Sequence, residues 1–239
     1  MQTNLHIQAI TFDAAGTLIR VAEPVGETYA RIARDMGASL SPAALDAAFR
    51  DVFPSMPAMA FPDLDAHALP DAEQAWWRKL VERVVRHAGG VNDFDAYFNA
   101  LFSHYASGSA WRAYPEAHRV LKSVRARRLR IGVVSNFDSR LPPILRELGI
   151  ESLVDSVIYS TGCGAAKPDP RIFQHAMHAL GSTPETTLHV GDSLHADYHG
   201  ASGAGMMAVH LNRRKQPASP EVPSVRDLGE LDIFLVQGR

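Results

Sequence analysis

Short apolar runs separated by turns and helical patterns constrain the fold of this chain more than any other feature. The runs span Ile7–Phe12, Arg130–Ser135, Ser156–Ser160, Thr187–Gly191 and Met206–Leu211. Short apolar segments that end at polar or turn residues are typical of parallel strands covered by helices on both faces. Helical patterns over Pro115–Leu129 and Pro170–Leu180, the second followed by Gly181, lie among these runs. The alternation predicts an α/β protein with a doubly wound parallel sheet.

The long stretch between the first and second apolar runs contains no convincing strand pattern. It indicates helices over Glu23–Met36, over Ala43–Val52 with Ser41 as N-cap, after Asp71, and around Phe94–Phe102. We therefore predict an all-helical insertion spanning residues 21–111 in a core formed by residues 1–20 and 112–239. Within the insertion, Phe53–Pro70 is rich in proline. This segment is either a surface connection or a loop that faces the substrate.

Charge and cysteine content indicate which partners and which cellular compartment the chain is suited to. The formal net charge is −2, and Cys163 is the only cysteine. The near-neutral charge does not favour a nucleic-acid partner or a membrane surface, and the basic runs Arg125–Arg130 and Arg213–Lys215 are interpreted as solvated. A single cysteine and the absence of a leader-like N-terminus or a spanning apolar run indicate a cytoplasmic protein. The sequence makes no prediction of oligomeric state.

Polar residues follow the predicted strands at the points where those strands end. Asp13 follows the first strand, Ser135 and Asn136 end the second, and Asp192 ends the fourth. Lys167 lies in the loop after the third strand. Because the carboxyl ends of parallel strands meet at one edge of a sheet, we expect these side chains to share one crevice.

These residues form four ordered motifs that resemble those of the haloacid dehalogenase superfamily. The motifs are Asp13-x-Ala15-Gly-Thr17, Val134-Ser-Asn136, Lys167-Pro168 and Gly191-Asp192-x4-Asp197. The helical insertion is similar to the C1 cap of subfamily I, placed after the first strand of a Rossmann-like core. Trp76-Trp77, Ser135-Asn-Phe-Asp138 with Arg140, and Lys167-Pro-Asp-Pro-Arg-Ile-Phe173 resemble the REG-2-like branch.

The resemblance implies a role for each motif residue in the hydrolysis of a small phosphorylated metabolite. It implies that Asp13 is the nucleophile that forms an aspartyl-phosphate. Mg²⁺ would be held by the Asp13 side chain, the Ala15 backbone carbonyl and Asp192, with Thr17 and Asp197 behind these ligands. Phosphate oxygens would be bound by Ser135 and the Asn136 amide. Lys167 would neutralise charge on the nucleophile and on the transferring group.

Ala15 departs from the pattern of most phosphatases of the superfamily, which carry an aspartate at this position. That aspartate protonates the leaving group and then activates water, and such catalysis is typically worth about 10²–10⁴-fold in rate. One hypothesis is a phosphatase restricted to leaving groups that need little protonation, such as acyl or aryl phosphates. In another, a different residue supplies the proton; the candidates are Asp138, Asp63, Asp65, His67 and His195.

Two other reactions and one binding role are alternatives to phosphatase activity. Asp-x-Ala-Gly-Thr also resembles phosphonoacetaldehyde hydrolase, which needs a cap lysine, and Lys79 is the only lysine in this insertion. A haloacid dehalogenase would carry tyrosine at position 15 and would not need the pair of Asp192 and Asp197. A protein that binds a phosphorylated ligand or partner without turnover is the remaining alternative.

Overall fold

A six-stranded parallel sheet forms the centre of the protein. The computed structural model describes residues 7–213, 217 and 219–235. In chain order the strands are β1 (Ala9–Phe12), β2 (Ile19–Val21), β3 (Trp111–Ala113), β4 (Arg130–Ser135), β5 (Ser156–Tyr159), β6 (Thr187–Gly191), β7 (Met207–Leu211) and β8 (Ser224–Val225). The strand order in the large sheet is β5-β4-β1-β6-β7-β8, with every neighbouring pair parallel.

Ten α-helices accompany these strands in the described residues. They are α1 (Val25–Asp35), α2 (Pro42–Val52), α3 (Leu69–His87), α4 (Phe94–Ala106), α5 (Ala117–Ala126), α6 (Leu141–Glu147), α7 (Ser160–Cys163), α8 (Pro170–Leu180), α9 (Gly200–Gly203) and α10 (Asp232–Leu235). A π-helical turn, Leu194–His199, leads into α9. No helix of the described ranges is long and apolar enough to cross a membrane.

Helices cover both faces of the sheet, which confirms the predicted fold class. On one face, Val120 of α5 and Leu145 of α6 belong to the same buried cluster as Ile10 and Phe12 of β1. On the other face, Ile172 of α8 belongs to a second buried cluster together with Val134 of β4. Burial on both faces explains why the strands are continuous apolar runs rather than alternating ones.

Helices α1–α4 fill the stretch between β2 and β3 and build an apolar cluster of their own. Leu45, Leu80, Tyr97 and Phe98 lie in its centre and are almost completely buried. The helices therefore pack mainly on one another. The division into a core and a cap at residues 21 and 111 stays a prediction, and residues 1–6 and 236–239 of the predicted core lie outside the described residues.

Three local expectations were wrong. β2 and β3 form a small antiparallel ribbon at the two ends of the helical stretch, where only helices were expected. Strands of three residues are too short to give a periodic signal. Helix α3 begins at Leu69, so Asp71 lies inside its first turn instead of capping it. Finally, β8 adds a sixth strand, which was not predicted because it has only two residues.

The strand order places a crevice beside β1. The chain runs from β1 to β4 and β5 on one side of the sheet, and then crosses to β6 on the other side. At such a switch point the loops after neighbouring strands leave in opposite directions, which opens a binding site at the carboxyl ends of the strands. Asp13 and Asp192, which follow β1 and β6, lie on either side of this switch point.

Candidate active site

Asp13 is held at the end of β1 with its side chain almost completely buried. Its backbone N–H donates to the carbonyl of Val190 at 2.9 Å, which extends the pairing of β1 with β6. One carboxylate oxygen, Oδ1, accepts hydrogen bonds from Ser135 Oγ at 3.1 Å and Lys167 Nζ at 2.7 Å. The structure thus brings three of the predicted site residues together, from three separate loops.

Lys167 is buried and uses all three of its donors. Nζ donates to Asp13 Oδ1 at 2.7 Å, to Asp197 Oδ1 at 2.6 Å and to the backbone carbonyl of Val134 at 2.7 Å. Burial lowers the pKa of this lysine, but the charges of Asp13 and Asp197 outweigh burial and raise the pKa above its usual value. The ammonium group is therefore a fixed positive charge beside Asp13.

Asp197 anchors this lysine from behind. Its Oδ1 also contacts His189 Nε2 at 3.2 Å, and its Oδ2 accepts from the backbone N–H of Ser193 at 2.9 Å. Burial raises the pKa of Asp197, but Lys167 and the hydrogen bond with His189 outweigh burial and hold the pKa well below its usual range. Asp197 is therefore a permanent anion.

His189 is a site residue that the sequence analysis missed, because it lies within the apolar run of β6. It is fully buried, and Thr11 Oγ1 lies 2.8 Å from its Nδ1. Burial lowers the pKa of His189, so the ring is neutral. A neutral ring that donates from Nε2 to the charged Asp197 accepts at Nδ1 from the Thr11 hydroxyl. This chain of contacts fixes the orientation of Asp197.

Three carboxylates at this edge of the sheet could hold a metal ion. Oxygen atoms of Asp13, Asp192 and Asp197 lie within 4.8 Å of one another. The second oxygen of Asp13, Oδ2, is buried and has no hydrogen-bond partner in the described part of the chain. Burial also raises the pKa of Asp13. A cation held among these carboxylates would favour the ionised form of Asp13, because an opposite charge nearby lowers the pKa of a carboxyl group.

The chemistry of these donors fits Mg²⁺. Carboxylate and carbonyl oxygens are the ligands that this hard cation takes. Both oxygens of Asp197 already accept hydrogen bonds from Lys167 and Ser193, which makes it a poor ligand. The ligand set that the resemblance implies, Asp13, Asp192 and the backbone carbonyl of Ala15, stays a prediction; Thr17 is fully buried.

Glycine is required at two positions beside these carboxylates. Gly16 has φ +99°, and a Cβ placed on it would collide with the carboxylate of Asp192. A Cβ on Gly191 would collide in the same way with the side chain of Asp197. The loop after β1 can approach Asp192 closely only because position 16 has no side chain.

Arg213 holds the same loop from the other side, although the sequence analysis interpreted it as solvated. Its guanidinium donates to the backbone carbonyls of Gly16 at 3.2 Å and Thr17 at 2.8 Å. It forms an ion pair with Glu116 at 2.6 Å and lies over the ring of Tyr114 at 3.7 Å. The solvated interpretation was wrong for Arg213; Arg214 and Lys215 lie outside the described residues.

Asn136 uses its side-chain amide to position the lysine loop. Nδ2 donates to the backbone carbonyl of Lys167 at 2.9 Å, and Oδ1 accepts from the backbone N–H of Lys167 at 2.7 Å. This paired contact ties the loop after β5 to the end of β4. The backbone N–H of Asn136 is then the amide that could meet a phosphate oxygen.

None of the five substitute acid candidates is among the residues that line the cavity next to Ala15. Asp138 is fully buried, accepts from Trp77 Nε1 at 2.6 Å and forms an ion pair with Arg140 at 2.6 Å. The other four are exposed and do not line the cavity next to Ala15; they are Asp63, Asp65, His67 and His195. Asp65 accepts from the backbone N–H of His67 at 2.9 Å, in the turn that precedes α3.

A cavity of about 410 Å³ lies over this site. Its floor is formed by Ala15, Gly16, Asn136 and Asp192, and its walls come mainly from the helical stretch. The irregular segment after α2 contributes Phe53 and Met59 to the walls. Part of that segment therefore faces the substrate side, and the rest, including Asp63 and Asp65, forms a surface connection.

Comparison with known proteins identifies the family. A sequence model of the family described as haloacid dehalogenase-like hydrolase matches residues 7–205, most of the chain. The chain therefore belongs to the haloacid dehalogenase-like hydrolases, as its motifs predicted.

The chain is similar in sequence to three curated proteins and in structure to a solved one. It is 35% identical to the bovine (Bos taurus) haloacid dehalogenase-like hydrolase domain-containing protein 3, over 98% of this chain and 92% of that protein. It is 30% identical to the rhythmically expressed gene 2 protein of Drosophila melanogaster, over 90% and 86%. It is 32% identical to a phosphoserine phosphatase of Thermus thermophilus, over 70% and 69%. A crystal structure described as a dehalogenase superposes with a TM-score of 0.73 at 25% identity, over 97% and 98% of the two chains.

Proposed function

We propose that this protein is a Mg²⁺-dependent phosphatase that acts on a small phosphorylated metabolite through an aspartyl-phosphate on Asp13. One observation carries the proposal: Asp13 Oδ1 is bound by Ser135 and Lys167, while Oδ2 is buried without a partner. One oxygen is thus held in place and the other is left to react. The related phosphoserine phosphatase supports phosphate as the group transferred.

In the first step, transfer of the phosphoryl group to Asp13, each residue of the site has its own role. Bound Mg²⁺ would supply positive charge between the nucleophile and the phosphoryl group, held by Asp13, Asp192 and the Ala15 carbonyl. Oδ2 of Asp13 attacks phosphorus, and the leaving-group oxygen departs with its electron pair. The Lys167 ammonium reduces repulsion between the carboxylate and the phosphoryl group. The Asn136 backbone N–H binds one phosphoryl oxygen, and the Ser135 hydroxyl, which donates to Asp13 Oδ1 before substrate binds, turns to a second one.

The second step is expected to be slow. Water must attack the aspartyl-phosphate, and in most phosphatases of the superfamily the aspartate two residues beyond the nucleophile removes its proton. Ala15 cannot do this, and none of the cavity-lining residues in the described ranges is a carboxylate other than Asp192. Asp192 is assigned to the metal. We therefore expect the aspartyl-phosphate to accumulate during turnover.

The proposal is tested by release of inorganic phosphate from p-nitrophenyl phosphate and acetyl phosphate with and without Mg²⁺. Asp13→Asn preserves the shape of the side chain but removes its nucleophilic oxygen, so we expect turnover to fall to the level of the buffer. Asp51→Asn, at an exposed position of α2, is the matched control and should leave turnover unchanged. Equal activity of Asp13→Asn and the native protein would contradict the proposal.

Phosphate binding and halide release, measured on the same proteins, separate the alternative functions. A protein that binds a phosphorylated ligand without turnover would bind phosphate and release none. A dehalogenase would release halide from a 2-haloacid without Mg²⁺. Cleavage of a carbon–phosphorus bond through a cap lysine is disfavoured, because Lys79 is exposed on α3 and does not line the cavity.

A further inference from the structure

The cavity above Ala15 is lined mainly by apolar and aromatic side chains. Rings of Tyr29, Phe49, Phe53, Trp77, Phe102 and Trp111 contribute to its walls. Several of these rings contact one another or a neighbour; Phe49 and Phe53 stack at 5.3 Å, and Trp111 lies 5.4 Å from Phe137. A leaving group in this cavity meets ring faces and edges on most sides, which favours another ring as its occupant.

Polar groups are a minority in the cavity lining; besides Asn136 and Asp192 on the floor they are two arginines and the hydroxyls of Tyr29, Tyr105 and Tyr114. Arg20 and Arg140 are the cations among the described lining residues, and Arg140 is committed to an ion pair with Asp138 and lies over the rings of Trp77 and Phe102. A sugar or amino-acid leaving group carries several hydroxyl, amino or carboxylate groups. Transfer of several such groups from water into a cavity with a mainly apolar lining would be unfavourable.

Ala15 constrains the leaving group in an independent way. Without a general acid beside the scissile bond, the leaving oxygen must depart as an anion. A phenolate meets this requirement far better than an alkoxide. The pKa of a phenol such as tyrosine is about 10, well below that of an alkyl alcohol, so the phenolate is the weaker base and the better leaving group. The apolar walls thus favour a leaving group with a ring, and the missing acid favours one with a weakly basic oxygen. A phenol has both properties.

We propose that the cavity receives the ring of an aryl phosphate, a phosphate monoester of a phenol, and this inference rests on the proposed phosphatase function. Oδ2 of Asp13 forms a bond to phosphorus while the bond from phosphorus to the phenolic oxygen breaks. The electron pair leaves with the phenolate, which takes its proton from water. Water then attacks the phosphorus of the aspartyl-phosphate and releases inorganic phosphate, regenerating the carboxylate.

Two matched pairs of substrates test this inference. Phenyl and cyclohexyl phosphate have rings of similar size but leaving oxygens of different basicity, and we expect kcat/KM for phenyl phosphate to be at least about 10²-fold higher. Benzoyl and acetyl phosphate both lose a weakly basic carboxylate when the bond to phosphorus breaks, but only benzoyl phosphate carries a ring. We expect benzoyl phosphate to have at least about tenfold higher kcat/KM, because only its ring enters the cavity.

A variant that fills the cavity provides the structural test. Val25 lines the cavity and is half-buried, so Val25→Trp places an indole in the space for the substrate ring. Val91→Trp is the matched control, because Val91 is also half-buried against the helical cluster but does not line the cavity. We expect the ratio of kcat/KM for benzoyl to acetyl phosphate to fall at least about tenfold in Val25→Trp and to be unchanged in Val91→Trp.

Binding of the product gives a readout that needs neither Mg²⁺ nor turnover. Trp77 and Trp111 line the cavity, so p-nitrophenol should quench tryptophan fluorescence in the native protein. Equilibrium dialysis should show much weaker binding of p-nitrophenol to Val25→Trp, whose added indole contributes fluorescence of its own. Equal kcat/KM for benzoyl and acetyl phosphate, or equal effects of the two tryptophan variants, would overturn the inference and leave the phosphatase proposal intact. Absence of any turnover that depends on Asp13 would overturn both.

Discussion

Ala15→Asp is expected to raise kcat/KM for alkyl phosphates such as cyclohexyl phosphate by about 10²–10⁴-fold, the range that a well-placed general acid contributes. Ala15 is exposed on the floor of the cavity, next to Asp192. A carboxyl group at this position would reach into the cavity towards the leaving oxygen. Aryl phosphates should gain much less in the first step, because phenolates leave without a proton. The measurement is kcat/KM for cyclohexyl and phenyl phosphate in both proteins.

Ala15→Asn is the control for this gain. Asparagine has the shape of aspartate and makes similar contacts, but it cannot transfer a proton at neutral pH. We expect it to remain within a few-fold of the native protein on both substrates. A native protein that already hydrolyses cyclohexyl phosphate as fast as phenyl phosphate would show that another acid is present. A null effect of Ala15→Asp would contradict the role assigned to position 15.

Lys167→Met is expected to lower kcat by about 10²–10³-fold, the typical cost of removing one charge-stabilising group from an active site. It should also lower the free energy of unfolding in the absence of metal by about 3–5 kcal/mol, because Asp13 and Asp197 lose their buried cation. Methionine retains most of the length of the side chain and removes only the ammonium group. Phosphate release and urea denaturation measure the two effects.

Lys79→Met provides the same substitution at an exposed position of α3. We expect it to change neither turnover nor stability measurably, because exposed charges contribute little. Addition of Mg²⁺ should recover part of the stability lost in Lys167→Met, since the ion supplies a second positive charge beside Asp13. Activity of Lys167→Met within tenfold of the native protein would be incompatible with the role assigned to this lysine.

The fold and the principal site residues could be predicted because they depend on local signals. An apolar run that ends in a carboxylate is visible in the sequence, and parallel topology then brings the strand ends together. Asp13, Ser135 and Lys167 were predicted to share one crevice, and the structure brings them into contact. Their catalytic roles stay predictions until turnover is measured.

The supporting residues could not be predicted, since they act through contacts between distant parts of the chain. Arg213 reaches the loop at Gly16 and Thr17 from the segment after β7, two strands away from β1 in the sheet. His189 looks like an ordinary strand residue until Asp197 is seen against it. Trp77 looks like a packing residue of α3, yet its indole N–H donates to Asp138 in the loop after β4. Sequence periodicity gives the buried face of an element but not the partner on that face.

The central claim is that phosphorus becomes bonded to Asp13 during turnover. The most direct measurement is rapid acid quench of the native protein mixed with Mg²⁺ and phenyl phosphate, followed by mass spectrometry of the peptide that contains Asp13. Since hydrolysis of the intermediate lacks a general base, we expect a burst of phenol and a phosphoryl group on Asp13 within the first turnover. Turnover of phenyl phosphate with no burst and an unmodified Asp13 at every quench time would contradict the claim.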